Sequence, residues 1–186
     1  MKLLKYLESI IMVSENLKQE IITITENKRV KKNDIIISIG ERCGDLFFIE
    51  KGLLRGYYLN DGKEITNWFA QEGEFATCFY SFISQKQSFE TIQALEDMEL
   101  VRIPYLALQS LYINYPEMER LGRIITENYY IKFEERFLSL QFKSAKERYQ
   151  NLLESKSTLL QRASLGQIAT YLGISQETLS RMRSDL

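Results

Sequence analysis

The chain has 186 residues, a net charge of −1 and 45% apolar residues, which is enough for one large domain or two small ones. It contains no histidine, and this excludes histidine general-base chemistry, Ser-His-Asp and Cys-His pairs, and nearly all catalytic zinc or non-haem iron sites. The two cysteines, Cys43 and Cys78, form no C-x-x-C group; with no secretory signal and no apolar stretch of membrane-span length, they are expected to be buried free thiols in a cytoplasmic protein.

Residues 3–25 place apolar side chains at helical spacing (Leu3, Leu4, Leu7, Ile10, Ile11, then Leu17, Ile21, Ile22), with Ser14 as the cap between two helices. From Arg29 to Ile103 the texture changes to short apolar or alternating runs: 35–39, 46–49, 53–59, 65–70, 75–79, 91–95 and 100–103. Turn residues separate them, and Asn60-Asp61-Gly62 is the clearest hairpin signal because Asp-Gly accepts the positive φ angles of a type I′ turn. Many short strands at regular spacing predict a small antiparallel β-roll.

Pro104 stops the strands, and Tyr105–Ile113 reads as a short helix. Pro116 suits the first position of the next helix, with Glu117 and Glu119 favouring its dipole. That helix runs unbroken to about Phe142 and carries two apolar stripes: Leu121, Ile124, Ile131 and Leu138, and beside them Met118, Ile125, Tyr129, Phe133 and Phe137. One stripe can cover the roll; the other predicts a parallel two-fold pairing with a second copy. Residues 143–155 form another helix and 156–162 a polar connection.

Residues 165–184 predict a helix-turn-helix. Ser164 and Gln167 make a capping box, small Ala169 permits a close helix crossing, Gly173 ends the first helix, and Ser175 caps the second. Ile168, Leu172, Ile174, Leu179 and Met182 face inward, while Gln176, Glu177, Thr178, Ser180, Arg181 and Arg183 face solvent. Residues 143–186 carry +3 and residues 1–142 carry −4, so the basic part of the chain is the part that would meet phosphates. The expected organisation is α+β: residues 1–115 a β-roll sensor domain with N-terminal helices, 116–142 a long dimerisation helix, and 143–186 a helix-turn-helix DNA-binding domain.

A roll, a long helix and a terminal helix-turn-helix resemble the Crp-Fnr (catabolite activator) superfamily over almost the whole chain. The residues that carry this resemblance are Ile39-Gly40-Glu41 followed by Leu46-Phe47-Phe48-Ile49-Glu50-Lys51-Gly52, the hairpin Asp61-Gly62-Lys63-Glu64, Gly73-Glu74-Phe75, and Gln176-Glu177-Thr178-Leu179-Ser180-Arg181. The resemblance implies a homodimeric, non-enzymatic transcription regulator that binds double-stranded DNA, with RNA polymerase as a further partner, no cofactor and no membrane. It implies Gln176, Glu177 and Arg181 at base edges, and Ser175, Thr178, Ser180 and Arg183 at phosphates.

The sequence departs from that family in its effector pocket. The Gly-Glu positions that grip a cyclic nucleotide hold Thr77 and Cys78, the arginine position holds Ser88, and the adenine-contacting pair on the long helix falls on Lys132 and Phe133. With Phe79, Phe82 and Phe89 nearby, these residues predict a degenerate pocket for a neutral or apolar effector. The chain is also expected to lack the wing strands that usually follow the recognition helix. The competing reading is a ligand-binding or protein-interaction β-roll without sequence-specific DNA binding. A cupin-like enzyme would need the missing histidines.

Overall fold

The β-roll forms from the expected runs of apolar residues and turns, in a computed structural model that describes residues 1–184. Met1–Gly56 and Phe69–Glu127 make one packing unit, and Tyr57–Trp68 with Asn128–Leu186 make a second. The end of the chain at Asp185 and Leu186, on which the expected lack of wing strands bears, lies outside the described residues.

The first unit begins with α1 (Lys2–Glu8) and α2 (Glu15–Ile24), and the Ser14 hydroxyl accepts the Leu17 N–H at 3.3 Å as the cap of α2. One four-stranded sheet has the order β1 (Glu26–Val30), β8 (Met98–Pro104), β3 (Asp45–Lys51), β6 (Phe75–Ala76), all antiparallel neighbours. The other has the order β2 (Ile35–Ile37), β7 (Thr91–Ala94), β4 (Leu54–Asn60), β5 (Lys63–Ala70). Asp61 and Gly62 join β4 to β5 with φ of 49° and 75°, the double positive φ that a type I′ turn demands. Phe48, Ile49, Leu53, Leu54, Ile92, Leu100 and Val101 fill the interior, each fully buried and contributing on the order of 1.5–3 kcal/mol. Tyr6, Phe48 and Phe75 add an aromatic cluster with ring centroids 5.1–5.7 Å apart.

One strand carries no sequence signal, and two expectations are corrected. β1 reads Glu-Asn-Lys-Arg-Val and has no apolar alternation; it forms because it pairs along β8, where Glu26 also meets Arg102 at 3.0 Å. The expected strand 75–79 lasts two residues and then gives way to a short helix, α3 (Phe79–Ser84), whose first turn buries Ser81 and Phe82. The polar connection 156–162 contains α7 (Leu159–Arg162), because Leu159 is a core residue of the second unit.

α4 (Tyr105–Asn114) and α5 (Pro116–Phe142) follow the strands, with α5 as long as the sequence predicts. The second unit comprises the β4–β5 hairpin tip, the later turns of α5, α6 (Ala145–Ser155), α7, α8 (Leu165–Leu172) and α9 (Gln176–Ser184). Its small core is Tyr149, Leu152, Leu159, Ile168, Ala169, Leu172 and Leu179. Among the described residues, no helix is long and apolar enough to cross a membrane.

Candidate nucleic-acid interface and sensor pocket

The helix-turn-helix is built by local capping. The Ser164 hydroxyl accepts the Gln167 N–H at 3.2 Å, and the Gln167 side chain accepts the Ser164 N–H at 2.9 Å, so α8 starts on a capping box. Gly173 ends it at φ 67°, its N–H donating to Thr170 and the Ile174 N–H to Ala169, both at 3.0 Å. This paired 5→2 and 6→1 arrangement is the Schellman motif, and it turns the chain into α9. The Ser175 hydroxyl then accepts the Thr178 N–H at 3.1 Å and caps α9.

The expected reading face is exposed in part. Gln176, Glu177, Ser180, Arg181 and Arg183 are exposed, Thr178 is half-buried, and Ser175 is exposed but engaged as the cap, 3.1 Å from the Thr178 hydroxyl. The Glu177 carboxyl is held below its ordinary range by its own backbone N–H, the Ser175 hydroxyl and the Arg181 charge one turn on. Ile174 and Met182, expected to face inward, are half-buried. α8 and α9 approach closely at Gly166, where a Cβ would stand 3.3 Å from the Gln176 side-chain oxygen.

Residues that no sequence pattern singled out fix this motif in place. Arg136 of α5 donates from Nε to the Asn67 carbonyl at 2.9 Å and from Nη2 to the Tyr171 carbonyl at 2.7 Å, and its guanidinium lies 3.7 Å from the Tyr171 ring centroid. Arg148 of α6 donates to the carbonyls of Leu172 at 2.8 Å and Lys143 at 2.6 Å. Thr170 accepts the Thr66 N–H at 3.2 Å. All of these partners except Lys143 are distant in sequence, so no local spacing could reveal them.

On α5 burial divides both apolar stripes along the helix, from Met118 and Leu121, which are buried, to Phe133 and Phe137, which are exposed. Leu121 is 0% exposed within its own chain and Ile124 is half-buried, whereas Ile131 and Leu138 are 53% and 44% exposed. Leu121 is therefore a core residue and is corrected from the expected dimer set. Tyr130, Phe133, Phe137, Leu140 and Phe142 are also exposed.

In the roll, Thr77, Cys78 and Ser88 are buried, and each turns its polar atom to the chain's own backbone. The Thr77 hydroxyl donates to the Asp45 carbonyl at 2.9 Å, the Ser88 hydroxyl to the Glu90 carbonyl at 2.8 Å, and the Cys78 thiol reaches the same carbonyl at 3.8 Å. Cys43 comes up against them, its Sγ 3.3 Å from the Thr77 hydroxyl, and its interaction with Cys78 holds the Cys43 thiol below its ordinary range and pushes the Cys78 thiol up. The expected aromatic lining is corrected. Only Phe82 is buried, against Tyr105 at 5.3 Å, while Phe79 and Phe89 are exposed, Phe89 stacking on Tyr80 at 4.7 Å. Lys132 and Phe133 are exposed on α5, with the Lys132 ammonium 5.5 Å from the Tyr129 ring centroid. A buried cation the sequence did not flag, Arg55 of β4, is bound to the Gln93 side chain of β7 at 2.6 and 2.9 Å.

Residues 27–115 match the cyclic nucleotide-binding domain. The fumarate and nitrate reduction regulatory protein of Vibrio cholerae is 26% identical over 171 residues, which cover 86% of this chain and 68% of that protein. Over most of its length the chain is similar to regulators of the Crp-Fnr kind. Its fold is similar to that of FixK2 from Bradyrhizobium japonicum, with a TM-score of 0.73 at 23% identity over 88% of this chain and 84% of that one. It is equally similar to the c-di-GMP-responsive global regulator CLP of Xanthomonas campestris, with a TM-score of 0.73 at 18% identity over 92% and 91% of the two chains.

Proposed function

We propose that this protein is a transcription regulator of the Crp-Fnr type, a cytoplasmic homodimer that reads DNA through α9 and whose roll does not respond to cyclic AMP or cyclic GMP. The observation that carries the reading is the capped helix-turn-helix whose second helix presents Gln176, Glu177, Ser180, Arg181 and Arg183 to solvent. Arg181 suits guanine O6 and N7, Glu177 suits cytosine N4, and Gln176 suits adenine; Arg183 and Ser180 suit phosphates. Ser175 and Thr178, engaged in the cap, contribute mainly by holding the helix start toward the backbone. The exposed apolar side chains of α5 around Ile131 and Leu138 pair with a second copy. Two α9 helices related by that two-fold would enter successive major grooves of a pseudo-palindrome, about one helical turn apart.

The effector reading rests on charge. A cyclic phosphate needs a buried cation with directed donors. At the positions where the family binds it, this chain supplies neutral groups bonded to its own backbone, and the Glu90 carboxylate acts on Cys78 from nearby. An effector, if bound here, is a neutral or apolar molecule.

The test is selection of a binding site from random duplex DNA, followed by gel shifts across salt concentrations. Affinity is expected to fall steeply with salt. Arg181→Ala should cost on the order of 1–3 kcal/mol and relax selectivity at one base pair per half-site. Salt-independent binding, or no selected site, would favour a roll that serves only as an interaction module.

A further inference from the structure

Three elements of the second unit meet at one side chain. β5 lies at the edge of its sheet, and edge strands leave backbone N–H and C=O groups unpaired. Two backbone groups of this strand are taken up by helices. The Thr66 N–H donates to the Thr170 hydroxyl at 3.2 Å, and the Asn67 carbonyl accepts from Arg136 Nε at 2.9 Å. The same guanidinium caps the C-terminal end of α8 through the Tyr171 carbonyl and stacks on the Tyr171 ring at 3.7 Å. The last carbonyls of a helix have no partner within it and carry its negative end, so a cation there bonds strongly. Arg148 holds the next carbonyl, that of Leu172, at 2.8 Å.

This fastening has two features that matter for reading DNA. It grips only the first helix of the motif, so Gln176, Glu177, Ser180, Arg181 and Arg183 of α9 stay exposed. And Arg136 lies on α5 between Ile131 and Leu138, the exposed apolar side chains that would flank the two-fold axis. One rigid segment of helix thus carries both the pairing face and the clamp on the reading head.

We propose that Arg136 is a positioning residue that sets the half-site spacing the dimer accepts; the proposal rests on the DNA-binding reading above. A planar guanidinium with two hydrogen bonds and one stacked ring fixes α8 in direction as well as distance, which a single bond would not do. With α8 fixed to α5, the two α9 helices stand at one separation and one rotation about the axis. Adding a base pair between half-sites shifts one target by about 3.4 Å and turns it by about a tenth of a turn, so a rigid dimer must give up contacts at one half-site. A loosely held motif would follow the shifted site, but would bind the best site less tightly because its orientation is no longer set in advance.

The test uses the full chain, its selected site, and variants of that site with the half-sites moved apart or together by one and two base pairs. Wild type is expected to lose on the order of a hundredfold in affinity per base pair of displacement, comparable to losing one or two base contacts. Arg136→Met is expected to bind the best site about tenfold more weakly, yet to lose less than about tenfold per displaced base pair. The slope of log affinity against log salt should stay unchanged, since Arg136 meets carbonyls rather than phosphates. Thr170→Val leaves the Arg136 bonds in place and removes the Thr66 partner; it should flatten the spacing profile in the same direction and speed amide exchange at Thr66. It carries the test if Arg136→Met fails to fold. A spacing profile as sharp as wild type in both variants, with site-specific binding intact, overturns this inference alone. A salt slope that falls by about one per subunit makes Arg136 a phosphate contact and overturns it too. A wild type that selects no site overturns the DNA-binding reading together with it.

Discussion

Ile131→Glu and Leu121→Ala should have opposite effects, although the two residues lie on the same apolar stripe in sequence. Ile131 is 53% exposed in the single chain, so about half its surface is left for a partner to cover. Full burial of isoleucine is worth about 1.5–3 kcal/mol, which makes the remaining half about 1 kcal/mol per subunit and about 2 kcal/mol per dimer. Glutamate loses that and also brings two carboxylates to the two-fold axis, each costing on the order of 1–3 kcal/mol to desolvate without a partner. The expected total is about 4 kcal/mol or more, on the order of a thousandfold in the dimer dissociation constant. Because Ile131 is solvent-facing in one chain, the variant should unfold at a urea concentration close to that of a monomeric reference. Leu121 is 0% exposed within its own chain, so Leu121→Ala removes core packing and should cost about 2–5 kcal/mol of folding stability while leaving the pairing face intact. Sedimentation equilibrium of both variants, with urea unfolding alongside, separates the two effects. If Ile131→Glu weakens association less than tenfold, or if wild type is monomeric at micromolar concentration, the assignment of this face to pairing fails.

Isothermal titration with cyclic AMP and cyclic GMP should show no binding at micromolar concentration; micromolar affinity for either would refute the charge argument at Thr77, Cys78 and Ser88. Gly173→Ala should destabilise the second unit by about 1–2 kcal/mol, because a Cβ there meets only ordinary contacts at 3.6 Å and beyond but must adopt φ 67°; Gly173→Asn should cost less, and equal urea midpoints for the two variants would contradict the backbone explanation. Acid should weaken the fold: the carboxyls of Asp97, Glu147 and Glu177 are held below their ordinary values of 3.8 and 4.5 by backbone and side-chain donors. Their stabilisation is therefore complete above about pH 5 and is lost as pH falls through the ordinary values toward the depressed ones, so a urea midpoint that rises between pH 5 and pH 3 would be the wrong sign.

What the sequence determined on its own is the part of this protein governed by neighbours in the chain. Ser164 with Gln167, Gly173 and Ser175 specify where α8 starts, where it stops and where α9 begins, because capping and positive φ act within four or five residues. Asp61-Gly62 specifies the hairpin and Pro116 the start of α5 for the same reason. Tertiary structure decided what depends on who covers whom. β1 exists because β8 offers it a partner, which no property of Glu-Asn-Lys-Arg-Val announces. The stripe on α5 divides into a core end at Leu121 and an open face at Ile131 because burial belongs to the surroundings and not to the helical period. Cys43 and Cys78 stand 35 positions apart in sequence and meet in the roll. Arg136, one of several charges on a long helix, becomes the clamp on α8 only because two carbonyls from Asn67 and Tyr171 are folded within reach of its guanidinium. Hydrogen bonds between distant residues leave no spacing signal, so they are visible only once the chain has brought the partners together.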